Sequence, residues 1–127
     1  MPSDPNVPDA FDVYTVVVLR RPADAPDLPE EELARLQAEH LAYRAGLKEQ
    51  GLIVANGPFD EQTDPAYRGM SIFACDPAEA ARLSDGDPSV VAGRLVSDVM
   101  EWWVGAGSLG FPLVDRPVGD RRAMPDD

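Results

Sequence analysis

PEEELARLQAEHLAYRAGLKEQGLIVANGPF, residues 29–59, is the stretch from which the fold of this chain is read. It predicts a long helix, a glycine stop, a short buried strand and a Gly-Pro turn. Leu33, Leu36, His40, Tyr43 and Leu47 fall within an arc of about 80° at the helical period. The only histidine of the chain therefore lies on the face that the helix turns toward the protein. Pro29 suits the first turn, and Glu30, Glu31 and Glu32 favour the positive end of the helix dipole. The helix is expected to stop near Gln50, with Gly51 taking the left-handed cap. Gly46 inside it costs about 1 kcal/mol relative to alanine.

Upstream, residues 1–11 are rich in Pro, Asp and Asn and read as a loose leader. Asp12 to Leu19, DVYTVVVL, is a strand with apolar side chains on both faces, as expected of a central strand covered on both sides. Downstream, Leu52 to Asn56 is a strand ended by Gly57-Pro58. A polar loop then leads to a further strand, Gly69 to Cys75, in a hairpin connection. Asp76 is a good N-cap, followed by Pro77 and by Glu79 three residues past the cap, so a short helix runs to about Asp85-Gly86. Asp87 caps one more helical turn through Gly93. Arg94 to Val104 is the last strand, and because neither of its faces is clean it is expected at an edge or an interface. Residues 105–127 form an aperiodic tail.

The order strand, helix, strand, strand, helix, strand over residues 12–104 predicts an α+β, ferredoxin-like βαββαβ sandwich, with an antiparallel sheet and its helices on one face. The uncovered sheet face, carrying Val and Trp, is best buried by a second copy, so a homodimer of the dimeric α/β-barrel type is expected.

Composition narrows the function. With 127 residues the chain is one domain with a modest core. A net charge of −12 disfavours nucleic acid and anionic membranes as partners, although a local cluster of arginines could still hold a small anion. No run is long enough to span a bilayer, and the first residues lack the basic start and apolar core of a signal peptide. The single cysteine, Cys75, excludes an internal disulfide and cannot alone hold zinc. A cytoplasmic location and neither metal nor cofactor are the expectations.

His40 is the leading candidate for chemistry, because imidazole is the side chain ordinarily ready to move a proton near neutral pH. A histidine on an apolar face can equally be a core residue satisfied by a carbonyl. Asp87 reads first as an N-cap; it, or Asp85 two residues earlier, could also reach His40 and fix its tautomer. Arg20, Arg68 and Arg94 stand at element boundaries, where they are either solvated or hold a carboxylate. Gly57-Pro58 reads as a turn, with the alternative of bringing backbone close to a ligand. Trp102 and Trp103 must point to opposite faces, and Cys75 reads as a small hydrophobe. The chain has no Walker loop, GxGxxG, CxxC or HExxH.

His40, then Gly51 to Pro58 as G-x-(L/I)-x-x-x-G-P, then Asp87 to Gly93 as D-P-(x)3-A-G, together resemble the YciI-like (YCII-related) family over about residues 12–104. The resemblance implies a ferredoxin-like dimer with a catalytic histidine and aspartate, here His40 and most simply Asp87. It also implies a fold able to support proton chemistry, of which a dehydrochlorinase activity among relatives is an instance. Ser89 stands where many relatives carry an aromatic residue, which implies a wider or more polar pocket. Gly57, Pro58, Ser89 and Arg94 are the residues expected at a small-molecule site.

Two functions are expected. One is a cofactor-independent lyase or isomerase with His40 as general acid or base, oriented by Asp87. The other is a non-catalytic module that binds a small metabolite in the same place. A monooxygenase of similar fold is disfavoured by the lack of a second histidine.

Overall fold

Phe11–Arg20 forms β1, a ten-residue apolar strand and an inner member of the sheet. The computed structural model describes residues 4–110. After β1 come α1 (Glu30–Glu49), β2 (Ile53–Pro58), β3 (Tyr67–Phe73), α2 (Pro77–Asp85), α3 (Pro88–Val91) and β4 (Val96–Gly105). The four strands lie in the order β2-β3-β1-β4, with β1 antiparallel to β3 and β4, and β2 antiparallel to β3. This is the expected βαββαβ arrangement, with β4 at an edge as its mixed faces indicated. No helix among the described residues is long and apolar enough to cross a membrane.

Alternation along β1 divides the two faces of the sheet. Thr15, Val17 and Leu19 are buried and pack with Leu47, Ile53, Phe73, Ala80 and Leu95 under the helices. The other parity carries Val16, Val18, Met70, Ile72, Met100 and Trp102 on the helix-free face. Trp103 takes the opposite side from Trp102 and lies tilted against Phe11, their ring centroids 5.7 Å apart. Cys75 is partly buried beside the core.

The helix ends have local chemical causes. Gly51, at φ +79°, takes the left-handed conformation that stops α1. Asp76 accepts the amide of Glu79 to cap α2, and Asp87 accepts the amide of Ser89 to cap α3.

Gly57-Pro58 is not a turn. Both residues belong to β2, with Gly57 opposite Met70 and Pro58 opposite Gly69. Proline is tolerated there because β2 is an edge strand, so its missing N–H removes no bond to a further neighbour. Gly69 allows the close pairing: a Cβ on it would lie 2.7 Å from the Gly57 carbonyl oxygen. β3 correspondingly starts at Tyr67 rather than Gly69 and ends at Phe73 rather than Cys75.

Two register shifts interrupt the ladders. One lies between Ile53 and Ala55 of β2, the other opposite Leu19 and Arg20, where β3 contributes the extra residue Arg68. A bulge reverses the side-chain parity of the strand beyond it. Hence Ile53 and Asn56, three residues apart, pair with Phe73 and Ser71 of one sheet face. The expected tail falls mostly on residues 111–127, which lie outside the described residues.

Candidate active site

His40 enters the interior one turn before the buried end of α1. Its Nδ1 is 2.7 Å from Asp87 Oδ2, and its side chain retains 14% of its exposure while Asp87 has none. The capping turn between α2 and α3 delivers Asp87. Tyr43 on α1 donates its hydroxyl to the Leu83 carbonyl at 2.8 Å. Gly86 leaves the space for that phenol, since a Cβ there would lie 2.5 Å from the Tyr43 oxygen. Asp87, not Asp85, is therefore the carboxylate that meets the imidazole; Asp85 is exposed at the end of α2.

A second cation reaches the same carboxylate. Arg44, fully buried and one turn beyond His40, donates Nε to Asp87 Oδ2 at 2.8 Å. Its other nitrogens donate to Ser84 Oγ at 2.7 Å and to Ser71 Oγ at 3.4 Å. Ser71 in turn donates to Asn56 Oδ1 at 2.9 Å, and Ser84 pairs with Ser97 at 2.7 Å. The network joins α1, α2, the α3 cap, β2, β3 and β4. No buried side-chain nitrogen or oxygen among the described residues lacks a partner.

Burial by itself would push the Asp87 carboxyl up. The hydrogen bond and charge of His40, the Ser89 amide and the Arg44 guanidinium outweigh it and hold the carboxyl below the usual aspartate range. An ionised carboxylate only accepts, so Nδ1 of His40 is the donor and carries the proton in the neutral ring. Nε2 is then the acceptor left for a ligand. A proton taken there leaves an imidazolium facing Asp87, the arrangement that orients and supports a histidine base.

His40 stands at the wall of a cavity of about 340 Å³ between α1 and the ends of β1, β2 and β3. Arg21, Gln37, His40, Asn56 and Arg68 supply its polar groups. Leu19, Leu41 and Leu95 contribute apolar wall, and Gly57, Pro58 and Phe59 a rim. The Cys75 thiol is pushed up by burial and by the charges of Glu79 and Asp76, so it stays protonated near neutrality and is a poor nucleophile.

A family model described as the YCII-related domain matches residues 13–103. The chain belongs to the YCII-related family. It is also similar to a solved structure, 5-chloro-2-hydroxyhydroquinone dehydrochlorinase from Burkholderia phenoliruptrix AC1100 in complex with 2,5-dihydroxybenzoquinone. The identity is 25%, the match covers 69% of this chain and 92% of that one, and the TM-score is 0.46. No functionally curated protein matches.

Within this YCII-related domain, His40, Gly57 and Pro58 line the cavity, with Asp87 behind His40. Ser89 and Arg94 do not line it. Ser89 is buried in the α3 cap, where its amide donates to Asp87 and its carbonyl accepts from Arg94 and Leu95. The Arg94 side chain donates to the Pro26 carbonyl at 3.0 Å, while its own carbonyl accepts Nε of Arg21 at 3.4 Å. Arg20 points to the helix-free face and pairs with Asp98 at 3.0 Å. Sequence reasoning missed Arg44, Asn56, Arg21 and Gln37. Arg44 was legible as a cation four residues from His40 beside the apolar stripe. Arg21 was legible from strand parity, which it shares with Leu19.

Replacing Arg44 with Met leaves the buried carboxylate without its permanent cation, so urea denaturation should show a loss on the order of 3–5 kcal/mol. The lowered carboxyl also has a signature in pH. Its contribution to stability is complete above the unfolded value near pH 4 and is lost as pH falls through the lower folded value. The stability gap between wild type and Asp87→Asn, measured by thermal denaturation, should therefore shrink below about pH 4.

Proposed function

We propose that this protein is an enzyme that moves a proton on a small organic molecule held in the cavity beside His40, in a lyase- or isomerase-type reaction. Nε2 of His40 is the general base or acid, and Asp87 holds the ring in the tautomer that exposes it. His40 itself, the Ser89 amide and Arg44 together keep Asp87 ionised. The carrying observation is the 2.7 Å contact between His40 Nδ1 and a fully buried carboxylate, placed at the wall of an open cavity. A histidine needed only for packing would not require an ionised partner supported by a buried arginine, an arrangement that is costly to assemble.

The test is deuterium incorporation or product formation from a panel of C–H-acidic small molecules, monitored by NMR. Wild type should exchange or convert at least one of them. His40→Ala should lose about 10²–10⁴-fold in rate with an unchanged circular dichroism spectrum. Recovery of every bound compound unlabelled and unchanged would make the protein a binding module instead.

The same reading takes the working form as a homodimer closed over the helix-free face. Met100 and Trp102 on that face are 45% and 37% exposed, beside the half-buried Val16 and Val18. Sedimentation should give a dimer for wild type and a monomer for Trp102→Glu.

A further inference from the structure

We infer that the cavity takes a neutral carbonyl compound, its oxygen held by the side-chain amide nitrogen of Asn56 and its α-carbon set against His40 Nε2. This rests on reading that cavity as a proton-transfer site, and it adds the class of molecule and a second side chain that touches it.

The buried arginine fixes the direction of the hydrogen bonds that reach Asn56. A guanidinium has only donors, so Ser71 Oγ accepts from Arg44 at 3.4 Å and donates its own proton to Asn56 Oδ1 at 2.9 Å. The carbonyl half of the Asn56 amide therefore faces Ser71, and Nδ2 takes the other side. Among the described residues none accepts a hydrogen bond from Nδ2, and the exposed Asn56 lines the cavity. The same arginine donates Nε to Asp87 Oδ2 at 2.8 Å, and that oxygen also accepts from Nδ1 of His40. One guanidinium thus aims two groups of opposite character at one cavity: the acceptor Nε2 of His40 and the donor Nδ2 of Asn56. The β2 bulge is what sets Asn56 opposite Ser71 and completes the relay.

A base facing a hydrogen-bond donor suits a carbon acid whose charge forms on oxygen. His40 Nε2 takes a proton from the carbon beside the carbonyl, and the C–H electron pair becomes the carbon–carbon double bond of the enolate. The carbonyl π pair moves onto oxygen, where Nδ2–H of Asn56 meets the growing negative charge. The imidazolium then returns the proton to the same or a conjugated carbon, so no further reactant is needed. Leu19, Leu41 and Leu95 accommodate a hydrocarbon body. A volume of about 340 Å³ lies at the small end of ligand pockets, so one compact molecule reaches both side chains. The net charge of −12 favours a neutral molecule over an anion. Arg21 and Arg68, also on the lining, donate to the carbonyls of Arg94 and Pro65.

The experiment uses the full chain with two ketones, phenylacetone and β-tetralone, and with indene and phenylacetonitrile, carbon acids that lack a carbonyl oxygen. The pair of side-chain NH₂ signals lost from the NMR spectrum of Asn56→Ala assigns Nδ2. At least one ketone should shift those signals together with the His40 ring signal, and should bind tenfold or more tightly than either control. Deuterium from heavy water should enter that ketone, and Asn56→Ala and Asn56→Asp should each slow the exchange by about 10²–10³-fold. Asn56→Asp keeps the acceptor for Ser71 and replaces only the donor, so it isolates the contact if Asn56→Ala disturbs β2. Ketones that bind no better than the controls, or that leave the Asn56 signals in place, would overturn the inference. Exchange at the wild-type rate in both Asn56 variants would also sink it, and would leave proton transfer by His40 standing. Ketones bound through Asn56 yet recovered without label support the ligand class while the proton-transfer reading fails.

Discussion

A carboxylate with no exposure to water stays ionised only when donors surround it, and Asp87 meets that condition on every side. One oxygen takes the Ser89 amide and so starts α3, while the other takes both His40 and Arg44. The hydrogen bond that starts one piece of helix and the one that sets the His40 tautomer therefore converge on a single side chain. Displacing Asp87 would release the α3 cap, leave Arg44 a buried charge without its acid, and free the imidazole to rotate.

Arg44 extends this constraint through the molecule. Its guanidinium reaches Ser84 on α2 and Ser71 on β3, and from these the chain of hydroxyls runs to Ser97 on β4 and Asn56 on β2. A polar network of this kind is stabilising only when every member is satisfied, because the low dielectric that strengthens each bond also penalises each vacancy. The same connections that hold the ion in place thus fix how α1 sits on the sheet. The cavity beside His40 inherits its shape from that seating.

The sheet contributes through its defects. Regular pairing from β1 outward would alternate side chains between the core and the helix-free face. The bulges in β2 and β3 break that alternation at the cavity mouth, where Asn56 and Arg68 are delivered, and Gly69 lets the two strands meet closely beside them. Pairing that is regular around Val17 and irregular near Arg68 separates the part of the sheet that makes core from the part that makes a site.

The amino-acid sequence alone determined the order of elements, the inward stripe through His40, the glycine stop at Gly51 and the caps at Asp76 and Asp87. Those features depend on periods of two and 3.6 residues and on hydrogen bonds spanning two or three positions, so they are written in neighbouring letters. It also marked β1 as inner and β4 as lying at an edge or an interface, since apolarity on two faces or cleanly on neither reflects what covers a strand. Tertiary structure decided which aspartate meets His40, that Arg44 stands behind it, that Gly57-Pro58 continues a strand, and that Arg21 rather than Arg94 faces the cavity. Each of those outcomes joins residues distant in the chain or turns on a bulge whose position depends on the partner strand. Local propensity is blind to a charge 43 residues away, and only the folded packing brings it into contact.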